Sequence, residues 1–272
     1  MGTNIGRVVG VDLYARDAVV RREGQRPQTN DHERGEVTEF SDKSRARLAF
    51  VANNTDVTFR TMVTLTYPRE FPRDGRTVKK HLARFLQKWQ RYTQGSSVLW
   101  FLEFQQRGAP HVHILTSTAL PSRRVDAKNL RLWVSHQWFR ICDSGDYKHL
   151  LAGTQVARVR NTECTGAYAV KYAAKMEQKR VPPEYRNVGR FWGHTADVKP
   201  KPYFEVACSE DDLRVALEGT PFEPPADRPI WRVLYNKAAH LAACGVDAFD
   251  SRGETCYTGP KGQWEAEQGQ EE

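Results

Sequence analysis

Cysteine is scarce and badly placed for structural work: Cys142, Cys164, Cys208, Cys244 and Cys256 are odd in number, scattered through the 272 residues and never spaced C-x-x-C. That excludes a disulfide framework and a cysteine zinc site, and a reducing cytosol is the compartment this usage suits. Long apolar runs are missing as well. No stretch approaches the roughly 18 consecutive apolar residues that cross a bilayer, and MGTNIGRVVGVDLYARD lacks a basic segment leading into an apolar one, so the expectation is a cytoplasmic protein with no membrane partner. A Gly-x4-Gly-Lys-Ser/Thr phosphate loop is absent, which removes the nucleotide-driven motors of that type.

Acidic residues are thin where basic ones are dense. Residues 206–272 hold six Lys/Arg and 13 Asp/Glu, net −7, which leaves 35 basic and 20 acidic side chains, net +15, in residues 1–205 of a chain whose total is +8. A polyanion would bind the first part. Length and composition divide the chain into an N-terminal extension, 1–55, partly irregular; a principal domain, 56–205; and an acidic appendage, 206–272, with a disordered end rich in Gly, Glu and Gln.

The principal domain has legible periodicity. FRTMVTLTY alternates Met62, Thr64 and Thr66 against Val63, Leu65 and Tyr67, a strand ended by PREFPRDG. TVKKHLARFLQKWQRY (77–92) sets Val78, Leu82, Phe85, Leu86 and Trp89 on one helical stripe with a basic outer face. SSVLWFLEF and the HVHILTS stretch read as two strands joined through QQRGAP, and LPSRRVDAKNLRLWVSHQWFRIC as a second amphipathic helix with Leu130, Val134, Trp138 and Ile141 inward. TQVARVR (154–160) is a further strand, TGAYAVKYAAKMEQKR (165–180) a helix, and PYFEVAC one more strand. GRFWG (189–193) reads as a packed turn.

Two constellations carry chemistry. In a strand, side chains alternate, so His111 and His113 share one face and can share one ion; across the hairpin, Glu103 can supply a carboxylate. A His-x-His pair also occurs as satisfied core residues, so this pattern needs support from elsewhere in the chain. In AYAVKYAAK, Tyr168 and Tyr172 lie four apart and emerge from one helical face, beside Lys171 and Lys175. A tyrosine with a pKa near 10 needs nearby cations or a metal to act as a nucleophile on phosphate at neutral pH. A packing stripe of aromatics is the competing account of the same spacing.

Taken in order, MVTLTY, then Glu103 with HVH, then AYAVKYAAK resemble the three motifs of the HUH endonucleases that initiate rolling-circle replication. The paired tyrosines followed by lysines resemble the two-tyrosine subgroup typified by the gene A proteins of small single-stranded DNA phages. The resemblance spans residues 59–175 and is tightest in the last two motifs. It implies an α+β fold, a central antiparallel sheet with flanking helices, with Glu103, His111 and His113 as metal ligands, Tyr168 and Tyr172 as nucleophiles, and Lys171 and Lys175 supporting them.

Imidazole and carboxylate ligands with open positions suit Mn²⁺ or Mg²⁺. The implied activity is nicking of single-stranded DNA at a replication origin, with a 5′-phosphotyrosine link, a 3′-OH primer, and rejoining at termination. Because a phosphate loop is missing, the implied partners include a separate helicase and a DNA polymerase of a bacterial host, in whose cytoplasm the protein would act. A transposase or relaxase with the same chemistry is an alternative, although relaxases place their tyrosines before the histidines. A basic nucleic-acid-binding protein with structural histidines and no enzymatic activity is the other.

Overall fold

The computed structural model describes residues 8–14, 17–22, 36–159, 181–209, 211 and 230–234. In chain order the elements are β1 (Val8–Leu13), β2 (Asp17–Arg22), α1 (Asp42–Asn54), β3 (Thr61–Thr66), α2 (Gly75–Tyr92), β4 (Val98–Phe104), β5 (Pro110–Thr116), α3 (Arg124–Cys142), α4 (Tyr147–Ala152), β6 (Thr154–Arg158), β7 (Trp192–His194), β8 (Phe204–Ser209) and β9 (Ile230–Leu234). Contacts divide the chain into two units, Met1–His32 with Lys201–Glu272, and Glu33–Pro200. The architecture is α+β with antiparallel sheets and flanking helices.

In the first unit β8, β1, β2 and β9 form a four-stranded antiparallel sheet in that order. Asp12 on β1 is 3% exposed. It is held by an ion pair with Arg21, two residues along β2 from Asp12's register partner Val19, so the buried charge is compensated within the sheet.

The second unit is built on a five-stranded antiparallel sheet of order β6-β3-β5-β4-β7. Helix α2 starts where Asp74 caps the N–H of Thr77 at 2.8 Å, and it buries Val78, Leu82, Phe85 and Trp89. Helix α3 buries Leu130, Val134, Trp138 and Ile141 on its own stripe. These two helices cover one face of the sheet. Trp89 Nε1 donates to Thr116 Oγ1 on β5, and the Lys79 ammonium of α2 lies 4.0 Å from the centre of the Trp100 ring on β4. Burial and the nearby Arg190 lower the Lys79 pKa to about 8.

The opposite face is met by α1, where Trp192 Nε1 of β7 donates to Ser44 Oγ at 3.1 Å. This helix forms inside the charged stretch that the sequence reading left without a regular element, because its apolar content is only a short inner stripe of Leu48, Val51 and Ala52. GRFWG is only in part the packed turn expected: Gly189 takes φ +70° and Phe191 stacks on Phe40 at 5.1 Å, but Trp192 and Gly193 belong to β7, paired with Phe101 and Trp100 of β4, where a side chain at Gly193 would strike the Trp100 ring at 2.8 Å. Among the described residues no helix is long and apolar enough to cross a membrane.

Candidate functional site

Strand alternation decides which residues meet. On β5, His111, His113 and Leu115 point to the face away from α2 and α3, while Val112, Ile114 and Thr116 point toward them. Register then adds neighbours on the histidine face. Glu103 and Phe101 of β4 lie opposite His111 and His113, and Thr66 and Thr64 of β3 lie opposite the same two histidines on the other side.

The side chains are in contact. His113 Nε2 donates to Glu103 Oε2 at 3.2 Å, and the two imidazole centroids are 4.6 Å apart. Each Nδ1 is engaged by a threonine: Thr64 Oγ1 to His113 at 3.3 Å and Thr66 Oγ1 to His111 at 3.0 Å. Phe101 stacks on His113 at 5.0 Å and limits its ring rotation. His113 and Glu103 are 4% and 8% exposed, a degree of burial that histidine and carboxylate sustain because each has the other as partner.

Glu103, His111, His113, Thr64 and Thr66 line a cavity of about 540 Å³, together with Met62, Gln105 and the α4–β6 residues Ala152, Thr154 and Gln155. Its floor is polar and its end is braced. The β4–β5 turn carries Arg107, which donates to Tyr67 O and Pro68 O at 2.7 Å each, tying the hairpin that bears Glu103 and His111 to the end of β3. The Thr66 carbonyl accepts from Trp138 Nε1 at 2.8 Å and His149 Nε2 at 2.9 Å, and Thr66 N donates to Gly153 O. His149 is therefore the Nε2–H tautomer, with Nδ1 bonded to Ser144 Oγ. Burial lowers its pKa, which favours the neutral ring that this pattern needs.

Tyr67 ends the first motif but is no candidate nucleophile. Its hydroxyl bonds His81 Nδ1 at 3.1 Å, its ring meets Trp138 edge-on, and burial pushes its pKa far above the ordinary tyrosine value.

Of the residues singled out from sequence, Glu103, His111 and His113 are brought together. Tyr168, Lys171, Tyr172 and Lys175 lie outside the described residues. Thr64, Thr66 and Gln155 were not singled out. The alternation of MVTLTY already set both threonines on one face, but which strand that face would join is not a local property. Among the described residues no group of three or more His, Cys, Asp or Glu side chains is arranged to hold a metal ion as it stands.

An α+β domain whose central antiparallel sheet carries a carboxylate–histidine pocket is the class that fold and site define. Residues 60–177 match the family model of the replication-associated protein ORF2/G2P, a span running from the start of β3 past Tyr172 and Lys175. The match supports a role in DNA replication. No curated protein matches the chain.

Proposed function

We propose that residues 60–177 form a rolling-circle initiator domain of the HUH, two-tyrosine kind, which cleaves and rejoins single-stranded DNA at a replication origin. The observation that carries this is the meeting of Glu103, His111 and His113 in one cavity, within the stretch that matches a replication-associated family.

The donor set suits a divalent ion. Thr64 and Thr66 hold the Nδ1 atoms and orient the rings, which would leave the Nε2 atoms to ligate an ion. An ion there would be held by the histidine Nε2 atoms and the Glu103 carboxylate, with His113 carrying its proton on Nδ1 toward Thr64 Oγ1. Such an ion supplies polarisation of the scissile phosphate and lowers the charge that an attacking tyrosinate must approach.

The chain's own residues do the rest. Tyr168 or Tyr172 loses its proton, attacks phosphorus and forms a 5′-phosphotyrosine ester, while the departing 3′-oxygen takes up a proton and becomes a primer hydroxyl. Lys171 and Lys175 stabilise the phenolate. The ester conserves the bond energy, so the reverse attack by a 3′-OH reseals the strand, and the second tyrosine provides the terminating cleavage. Helicase and polymerase activities come from separate proteins.

Incubation of the full chain with labelled single-stranded DNA spanning its origin and Mn²⁺, followed by denaturing electrophoresis, tests this. A covalent adduct that disappears in the Tyr168→Phe/Tyr172→Phe double variant is expected; cleavage that persists in it overturns the assignment. The absence of a ready metal cage among the described residues favours one other reading, a DNA-binding domain with structural histidines. That reading predicts binding without an adduct.

A further inference from the structure

Helix α2 has six Lys/Arg and no Asp or Glu in its 18 residues. Lys79 is accounted for by the Trp100 ring and the Arg190 carbonyl. The other five, Arg76, Lys80, Arg84, Lys88 and Arg91, are exposed. Among the described residues none of them is in an ion pair or a hydrogen bond with another side chain.

Their spacing makes one row. At 100° per residue they fall within an arc of about 120° opposite the buried stripe, and at 1.5 Å per residue they extend over about 22 Å. Arg76, Lys80, Arg84 and Lys88 are successive i,i+4 neighbours of like charge, an arrangement that weakens an isolated helix. A polyanion laid along the row would turn that repulsion into attraction.

We propose that this row is a binding surface for the phosphate backbone of duplex DNA, on the side of the sheet opposite the histidine cavity. Trp89 and Lys79 place α2 against the face bearing Thr116 and Trp100, whereas Glu103, His111 and His113 occupy the other. Duplex is favoured over single-stranded DNA because single-strand surfaces interleave cations with rings for base stacking. The outward positions between these cations are Ala83 and Gln87. Tyr92, at the end of the helix, already stacks on Trp133 at 4.2 Å. A rigid row of cations without stacking rings reads backbone and not sequence. The surface would hold double-stranded DNA by its backbone, and the proposal stands independently of the cleavage reading.

The test is binding alone, in EDTA so that no cleavage occurs, of the full chain to an arbitrary duplex of about 20 base pairs across a range of salt concentrations, with single-stranded DNA of equal length in parallel. Replacing all five residues with glutamine, a good helix former, should reduce the magnitude of the slope of log Kobs against log[salt] on the duplex by about 3 to 4. The lesser Arg84→Gln/Lys88→Gln variant should reduce it by about 2 and serves if the larger one melts early. An Arg76→Lys/Arg84→Lys/Arg91→Lys variant, which conserves charge, should keep the wild-type slope. An unchanged duplex slope in the folded glutamine variants overturns the proposal. So does a loss confined to the single strand.

Discussion

Replacing Gly153 with alanine tests whether the brace on Thr66 is as tight as it looks. Gly153 has right-handed helical dihedrals, φ −73° and ψ −8°, so alanine meets no backbone objection. The objection is steric: an added Cβ would lie 2.3 Å from His149 Cδ2, 2.6 Å from Nε2 and 2.6 Å from the His149 carbonyl oxygen. The ring cannot simply swing aside, because Ser144 Oγ and Thr66 O hold its two nitrogens at 2.9 Å each and the residue is 5% exposed.

Overpacking of this kind costs about 1–3 kcal/mol, and the displaced hydrogen bond about 1 more, against roughly 0.5 kcal/mol recovered from a stiffer unfolded chain. The net is a destabilisation of about 1.5–3.5 kcal/mol, or a fall in Tm of about 3–14 °C for a unit of this size. Urea denaturation followed by tryptophan fluorescence measures it, since Trp138 shares the Thr66 carbonyl with His149. In a His149→Ala background the ring is gone and only the contact with the residue-149 carbonyl oxygen remains, so the cost of Gly153→Ala should fall by about 1–2 kcal/mol. A wild-type Tm in the single variant, or an undiminished cost in the double, refutes the reasoning.

Burial lowers the pKa of His149 and of His81 from 6.5, so the unfolded chain binds protons that the folded one resists. Stability is thus complete above that value and declines as pH falls through it; urea midpoints between pH 8 and 5 should show this, and His149→Gln, which keeps a donor to Thr66, should flatten the decline. Trp138→Phe removes one of the two donors to Thr66 O and leaves a small void, for an expected loss of about 1–3 kcal/mol by the same denaturation assay. Alanine at both His111 and His113 should abolish the covalent DNA adduct while leaving most DNA affinity, read by electrophoresis and anisotropy. A chain ending before Ile230 lacks β9 and exposes the edge of β2, so it should melt lower or self-associate in light scattering, whereas one ending after Leu234 keeps the sheet of the first unit.

Much of the second unit is local and so could be read from the chain. Alternation of Thr64 and Thr66 with Val63 and Leu65 marks β3, the β-branched residues after a Gly-Ala-Pro turn mark β5, the four- and three-residue spacing of Val78, Leu82, Phe85 and Trp89 marks α2, and QQRGAP between two strand patterns marks a hairpin. The shared face of His111 and His113 follows from the same period of two, and Glu103 follows from the hairpin, since a short turn leaves few registers.

Partners chosen across long separations are different, because the free energy that selects them is collective burial and has no trace in a window of ten residues. That Thr64 and Thr66 meet the histidines depends on β3 pairing with β5, 45 and 49 residues away along the chain. That His149 reaches back 83 residues to the Thr66 carbonyl depends on where α3 delivers α4. β1 and β2, each six residues long, have too little apolar surface to stand as a hairpin alone, and only β8 on one edge and β9 on the other make a sheet of them. Local period set the elements and the facing of the histidines; packing over the whole chain decided what those histidines touch.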